Sequence, residues 1–348
     1  MRWKHRPEGS NWGEFGPDDE AGRLNLITPE KVLAGIAEVR EGKSFCLSLP
    51  LDYPGGNLLN PARHPPQRLA TQAIDGSPRY LAHLSEANPD LTDVVCDDRV
   101  LIHTQYSTQW DALSHVGSEF DADGDGVAEV VFYNGWRGGE HIVLGSHDHD
   151  HSHGGECSPF EGAEAKRLGI EKMAERCVQG RAVLIDFHAI HGDAKVDIDF
   201  TLLDEAMRAQ NVTVEAGDMV CFHTGWSRKV LEMNRQPTPE VLHHSCAALQ
   251  GRDPQLLEWV RDSGVVALIA DNYAVERYPN RSGEGRRALL PLHELCLFKL
   301  GIHLGELWWL SDLAAHLRSR GRNRFLLTAP PLRLPGAVGS PVTPIATV

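Results

Sequence analysis

The sequence predicts an α/β fold on three observations. Short unbroken apolar runs alternate with segments of helical periodicity. Turn residues bound the runs. No composition break, internal repeat or Gly/Ser linker divides the 348 residues, so one domain over 1–348 is expected, with a mixed sheet and surrounding helices.

In chain order, the first element is a helix that Thr28 caps and Pro29 opens. Val32, Leu33, Ile36 and Val39 give it an apolar face, and Gly42 can stop it. A second helix is expected from Gly162 to about Cys177. AVLIDF (182–187) and MVCF (219–222) read as buried strands, because both are continuously apolar and too short for a helix. Asp253-Pro254 repeats the helix-opening grammar, followed by Leu256, Leu257, Trp259 and Val260 and a close at Gly264. VVALIA (265–270) is the next strand, Leu307 to about Arg320 a further helix, and RFLLTA (324–329) a last strand. Pro54 to Pro78 and Ser146 to Pro159 read as loops able to border a site.

Composition narrows the function. With 34 basic and 48 acidic side chains the net charge is −14, which argues against a nucleic-acid partner. No apolar run approaches the roughly 20 residues that span a bilayer, so no membrane partner is expected. The start lacks the apolar stretch of about 7–15 residues of a secretory signal, which leads to the expectation of a cytoplasmic protein. Seven cysteines, odd in number and without a C-x-x-C pair, read as buried free thiols.

The chemistry concentrates in QYSTQWDALSH, Gln105 to His115. In extended chain Gln105, Ser107, Gln109, Asp111 and His115 share one face, and Tyr106 and Trp110 point the other way. Gln109 and Asp111 then stand about 6.6 Å apart at the backbone, close enough to share an ion. Gln105 and His115 join them only if the strand bends. A polar strand face, or a buried hydrogen-bond network, accounts for the same spacing.

Other signals are weaker. DADGDGVAE (121–129) imitates half of a calcium loop, but position 12 is Phe132 and VVFYN reads as a strand, so an acidic turn is expected. His147, His149, His151 and His153 alternate in a segment read as a solvated loop able to bind metal adventitiously. Asp186, His188 and His191 gather at a strand end and are candidates to support a site from behind. No nucleophile elbow, phosphate-binding loop or H-E-x-x-H motif occurs.

The segment 105–115 resembles the H-x-G-T-H-x-D-x-P-x-H signature of the metal-dependent cyclase family, which includes bacterial kynurenine formamidases and isatin hydrolases. NWGEFGPDDEAGRLNLITPE, AVLIDFHAIHG, CFHTGW, ALIADNYAVE, LPLHELCL, LGELWWLSDLA and PLRLPGAVGSPVTPIA resemble blocks of its longer members in order. Thr108, Asp111 and His115 match the signature. Gln105 and Gln109 stand where the family has two metal-binding histidines, and Ser107 and Leu113 replace its glycine and proline. This variant resembles the branch containing trans-dienelactone hydrolase.

The resemblance implies a swivelling β/β/α-like domain and a divalent ion, Zn²⁺ or Mn²⁺, held by Gln105, Gln109, Asp111, His293 and Glu306. It implies His115 as general base and then acid. Tyr106, Trp110 and Trp12 are candidates to shape the substrate cavity, with aromatic core packing as the alternative. The expected reaction is opening of a small cyclic ester, dienelactone-like, by metal-activated water. The alternatives are an amidohydrolase of the kynurenine-formamidase or isatin-hydrolase type, or a metal-free binding or structural protein on the same scaffold. A small-molecule substrate and a homo-oligomer are the implied partners.

Overall fold

The computed structural model describes residues 2–145, 162–279 and 285–348. Nine strands form one mixed sheet: β1 (Ser44–Cys46), β2 (Gln109–Asp111), β3 (Gln179–Asp186), β4 (Met219–His223), β5 (Ala267–Ala270), β6 (His303–Glu306), β7 (Arg324–Thr328), β8 (Gly339–Pro341) and β9 (Ile345–Thr347). Their order across the sheet is β1-β9-β7-β3-β4-β5-β6-β2-β8. The central strands β3, β4, β5 and β6 are parallel, and the flanks are antiparallel.

The apolar runs are unbroken because both faces of the centre are covered. Val183, Ile185, Val220, Phe222, Leu268 and Ala270 enter one core cluster. Their alternating neighbours Ala182, Leu184, Met219, Cys221, Ala267 and Ile269 enter the other. Trp110 and Trp308 join the second cluster, their rings edge to face with centroids 5.0 Å apart.

The helix read at Thr28 runs Pro29–Ile36, with Thr28 accepting a hydrogen bond from the Lys31 N–H, and stops short of Gly42. Its Gly35 lies against β3 so closely that a Cβ there would stand 2.7 Å from the Gly180 carbonyl carbon. The Asp253 cap and the helix Pro254–Asp262 follow the sequence reading.

Two predicted helices are shorter than expected. Of Gly162 to Cys177 only Ile170–Glu175 is α-helical. Glu20 takes the Leu168 N–H at 2.8 Å and Leu168 sits at φ +62°, which breaks the chain before Gly169. The helix expected from Leu307 begins at Ser311, because His303–Glu306 is strand and Leu307 turns out of it at φ +56°.

A long excursion leaves the sheet between β1 and β2. It is a ribbon in which Gln67–Ala70 pairs with Asp98–Leu101 and Ala82–His83 with Val94–Val95. The ribbon is largely exposed, Ile74, Leu81 and Leu101 included. At its root the His64 N–H meets His103 Nδ1 at 3.2 Å.

The remaining motifs resolve locally. Asp121 accepts the N–H groups of Gly124, Asp125 and Gly126, and Arg137 pairs with Asp123 and Glu129. Arg137 thus offsets part of the charge of the acidic turn, and the strand after it covers only Glu129–Val131. Cys221, Cys246 and Cys296 are buried free thiols, whereas Cys46, Cys96 and Cys177 are exposed, contrary to expectation. Cys157 and the His147–His153 run lie outside the described residues. Among the described residues no helix is long and apolar enough to cross a membrane.

Candidate metal centre

The site grows from the pairing of β2 with β6. Glu306 lies opposite Gln109, Gly305 opposite Trp110 and Leu304 opposite Asp111. Residues facing each other across a ladder share a sheet face, so Gln109, Asp111 and Glu306 project to one side and Trp110 to the other. Gly305 makes room for that indole: a Cβ there would meet Trp308 Nε1 at 3.0 Å and Trp110 at 3.1 Å.

His293 arrives from the short helical turn Pro291–His293, which continues as a wide π-helical segment, Glu294–Leu300. Donor atoms of Asp111, His293 and Glu306 all lie within 4.8 Å of one another. His293 Nε2 is 3.2 Å from Glu306 Oε1, and Gln109 Nε2 donates to Glu306 Oε2 at 3.1 Å. All four side chains are buried.

The Glu276 carboxylate stands behind His293. Its Oε1 accepts both the His293 backbone N–H and the ring Nδ1–H, each at 3.0 Å. This fixes the tautomer and turns Nε2 toward Glu306. Sequence reasoning missed Glu276: it follows strand β5 in DNYAVE, where Ala274 and Val275 adopt φ +72° and +54° and no periodicity marks it.

The electrostatics are those of a carboxylate-rich pocket. Burial, reinforced by Glu306, pushes the Asp111 carboxyl well above its ordinary range. Burial works against a charged His293, but Glu276 and Glu306 outweigh it and raise the imidazole to about 10. His115 Nε2 lies 3.8 Å from Asp111 Oδ1. Burial and then His293 bring the His115 imidazole down to about 4, so it is neutral near pH 7.

The donor set fits a divalent cation. Both oxygens of Asp111 and Oε1 of Gln109 are buried without a hydrogen-bond partner. Buried polar oxygens are rarely left unpaired, because desolvation of a carboxylate costs several kcal/mol, roughly, unless a counter-charge meets it. Asp111, Glu306, His293 and the Gln109 amide oxygen are the groups able to hold such an ion, three oxygen-bearing side chains and one imidazole.

The other sequence-predicted residues fall elsewhere. Gln105 sits in a turn before β2, its Oε1 accepting from the Thr104 hydroxyl at 2.9 Å. Its oxygen is thereby engaged and its amide nitrogen, unpartnered, lies over Gly339, opposite Asp111 in the register. Tyr106 lines a narrow cleft with Pro54, Asn60, Arg63, Gln105 and Tyr273. Its hydroxyl accepts from the Gly55 N–H and donates to the Gly56 carbonyl, so it holds the loop wall.

Two aromatic assignments are corrected. Trp110 is fully buried and gives its N–H to the Ala329 carbonyl at 2.8 Å. Trp12 is fully buried between Trp3, Phe120 and Phe298, with its N–H on the Phe298 carbonyl. Both are core residues whose polar atom is spent, leaving no surface for a substrate. Asp186 is also engaged away from this centre, accepting from His223 Nδ1 at 2.7 Å and from Arg318 at 2.6 Å, and His188 pairs with Asp193.

Comparison with known proteins finds the same family and fold. The family model described as "Putative cyclase" matches residues 47–277. A crystal structure described as a novel cyclase shares 29% identity over 97% of each chain, with a TM-score of 0.72. Isatin hydrolase A from Ralstonia solanacearum shares 14% identity over 92% of this chain and 97% of its own, with a TM-score of 0.53. Isatin hydrolase A from Labrenzia aggregata, bound to benzyl benzoate, shares 13% over 91% and 97%, with a TM-score of 0.52. The two isatin hydrolases share the fold. No curated protein sequence matches the chain.

Proposed function

This chain belongs to the cyclase family, and from that premise we propose that it is a metal-dependent hydrolase that opens a small cyclic ester with water. The observation that carries the reading is the buried, unpartnered pair of Asp111 oxygens facing His293 and Glu306. A structural network would have satisfied them with donors.

A divalent ion held there supplies two things: a coordinated water whose pKa falls to about 7, and polarisation of the acyl carbonyl. The chain's own residues do the rest. Glu276 keeps the His293 ring in place. His115, neutral near pH 7, takes the proton that the attacking water releases. As the ring C–O bond breaks, His115 returns that proton to the departing oxygen, so the products are a free hydroxyl and a carboxylic acid, which loses its remaining proton to solvent at neutral pH. Core packing behind the strand, with Trp110 against Trp308, holds the polar face of β2 at fixed spacing.

A second reading exchanges the ester for a cyclic amide, and the fold shared with isatin hydrolases supports it. Elemental analysis of protein purified without added metal, with hydrolysis assays on lactones, N-formyl aromatic amines and isatin, separates the readings. Bound Zn²⁺ or Mn²⁺ with lactone turnover is the expected result. Turnover of the amides alone moves the assignment to the second reading. Absence of a divalent ion, with no turnover after reconstitution, leaves a binding scaffold.

A further inference from the structure

We propose that Ser311, His223 and Asp186 form a second reactive centre, in which Ser311 is a nucleophile that accepts the acyl group of small esters. The inference goes beyond the hydrolytic reading above and does not depend on the metal centre.

Adjacent parallel strands bring the groups together. Asp186 ends β3 and lies opposite His223, the last residue of β4, and Asp271 follows β5. The carboxyl ends of parallel strands are where open α/β sheets gather reactive side chains. Side chains two apart share a face, so Asp186 goes with Ala182 and Leu184, and His223 with Met219 and Cys221. All four neighbours belong to the core cluster that also holds Leu313, Ala314 and Leu317 of the helix Ser311–Ser319. That helix therefore covers Asp186 and His223. The metal centre is on the other face, because Glu306 goes with Leu304 of the opposite cluster.

The hydrogen bonds run in one direction. An ionised carboxylate only accepts, so Asp186 Oδ1, at 2.7 Å, takes the His223 Nδ1–H. Arg318 on Oδ2 at 2.6 Å and the Ala189 N–H on Oδ1 keep Asp186 ionised. The neutral imidazole then presents Nε2 as an acceptor, and Ser311 Oγ stands 3.2 Å from it. Asp271 does not take the ring from Ser311. Its nearest oxygen is 3.9 Å from Nε2, and its carboxylate accepts from Thr224 N–H, Thr224 Oγ1–H and Gly225 N–H. Carboxylate, imidazole and hydroxyl thus stand in the order that activates a serine.

Ser311 is the reachable end of this relay. It is partly exposed, whereas His223 and Asp186 are buried. No side chain caps its helix, so the hydroxyl is not consumed as a cap. The N–H groups of Asp312 and Leu313 belong to the first turn, which has no intrahelical acceptor for them, and are the donors nearest in sequence for an oxyanion. Asp186 also lines a cavity of about 400 Å³ with Leu184, Ala189, Ala314, Leu317 and Arg318. Ala314 and Arg318 follow Ser311 by one and two turns on the same helix face. Since Asp186 and Arg318 pair with each other, the rest of that wall is apolar and suits a short acyl chain.

The step balances without a cofactor. Ser311 Oγ bonds to the acyl carbon as its proton passes to His223 Nε2. The ester C–O bond breaks, and the departing oxygen takes that proton and leaves as an alcohol. Water then gives a proton to Nε2 and attacks the acyl-serine. Oγ recovers the proton as its bond to the acyl carbon breaks, and a carboxylic acid is released. Ser311 and His223 are the catalytic residues, and Asp186 is a positioning residue.

The test treats the purified protein with diisopropyl fluorophosphate, which bonds Oγ to phosphorus as fluoride leaves and the serine proton passes through His223 to solvent. Peptide mapping should find the adduct on Ser311, and chelator should not change its rate of formation. S311A, with unaltered melting curve and metal content, should give no adduct at this peptide. H223Q should form it at least about 100-fold more slowly. Burial opposes a charged His223, but Asp186 and then Asp271 outweigh it and Arg318, raising its pKa, and the His188 ring lies 5.4 Å away. The wild-type rate should accordingly rise as pH passes through that raised value and then level off, and D186N should move the midpoint down. The pH profile needs no substitution, so it decides even if H223Q does not fold. p-Nitrophenyl butyrate should release a burst of nitrophenol in wild type that S311A lacks. An unlabelled Ser311, labelling that chelator abolishes, or a rate indifferent to pH would overturn the proposal. Loss of lactone turnover with labelling intact would leave this centre standing and remove the metal-dependent reading.

Discussion

One oxygen of Glu276 grips His293 twice, at the backbone N–H and at ring Nδ1, each at 3.0 Å. Glu276 therefore fixes the backbone and one edge of the imidazole, while Glu306 meets the other edge at Nε2. E276Q can still accept at one atom but carries no charge. It should lower affinity for the divalent ion about 10- to 100-fold, the usual effect of removing a partner behind a ligating histidine. Metal titration followed by fluorescence or calorimetry reads this directly, and unchanged affinity would show that Glu276 only packs.

Asp111 sets function against stability. Because burial and Glu306 raise its pKa, the folded chain binds its proton more tightly than the unfolded chain, so this carboxylate destabilises the fold as pH rises through the ordinary carboxyl range. In chelator-treated protein at neutral pH, D111N should therefore melt higher than wild type, by an amount equivalent to ~1–3 kcal/mol. It should also lose the rise in melting temperature that added Zn²⁺ or Mn²⁺ gives wild type. A lower melting point for D111N in chelator, or a full metal response, would count against the site.

His115 is expected to move protons and not to hold the fold. H115Q should retain its metal content and melting point while kcat falls by about 10²–10⁴. Loss of metal in H115Q would make the residue a ligand instead.

A buried pair at the ends of β3 and β4 predicts a separate pH dependence. Burial disfavours the charged forms, yet the Asp186–His223 hydrogen bond, with Asp271 near the imidazole and Arg318 on the carboxylate, raises the histidine pKa and lowers the aspartate pKa. The histidine's contribution is complete below the unfolded value of about 6.5 and is lost as pH rises through its folded value. That of Asp186 is present above about 3.8 and is lost as pH falls through its lower folded value. Melting curves between pH 5 and 9 should show wild type losing stability toward the alkaline side by a component absent from H223Q. Parallel curves for the two proteins would exclude the linkage.

Gly305 is constrained by space. Its added methyl would press on Trp308, Ile269 and Trp110 at 3.0–3.1 Å, so G305A should cost about 1–3 kcal/mol. Trp308 also donates to the Gln109 carbonyl, so the same substitution should reduce metal affinity. Denaturant melts and metal titration on one sample measure both.

The legible parts of this molecule are those whose signal is local. Thr28 and Asp253 cap the helices they were read to cap, and the runs at 182, 219, 265 and 324 are strands within a few residues. Their continuity reflects burial on both faces. What local pattern conceals is long-range: Glu20 reaching Leu168 cuts one helix short, and the pairing of β6 with β2 claims residues next to another. In the site, strand spacing paired Gln109 with Asp111, the resemblance added His293 and Glu306, and the fold brings these four side chains together. Gln105 turns its nitrogen where an oxygen was expected. Glu276 carried no signal, since it follows a strand in a left-handed kink.

The ribbon of residues 64–103 closes on itself at its root, where His64 and His103 meet before the chain re-enters the sheet. Entrance and exit are thus already adjacent, and the register of the nine strands owes nothing to the length of what lies between them. The excursion is an interchangeable part: it can be trimmed, extended or replaced by a tight turn between Arg63 and Thr104, and the scaffold beneath would keep its shape while its outer silhouette changed.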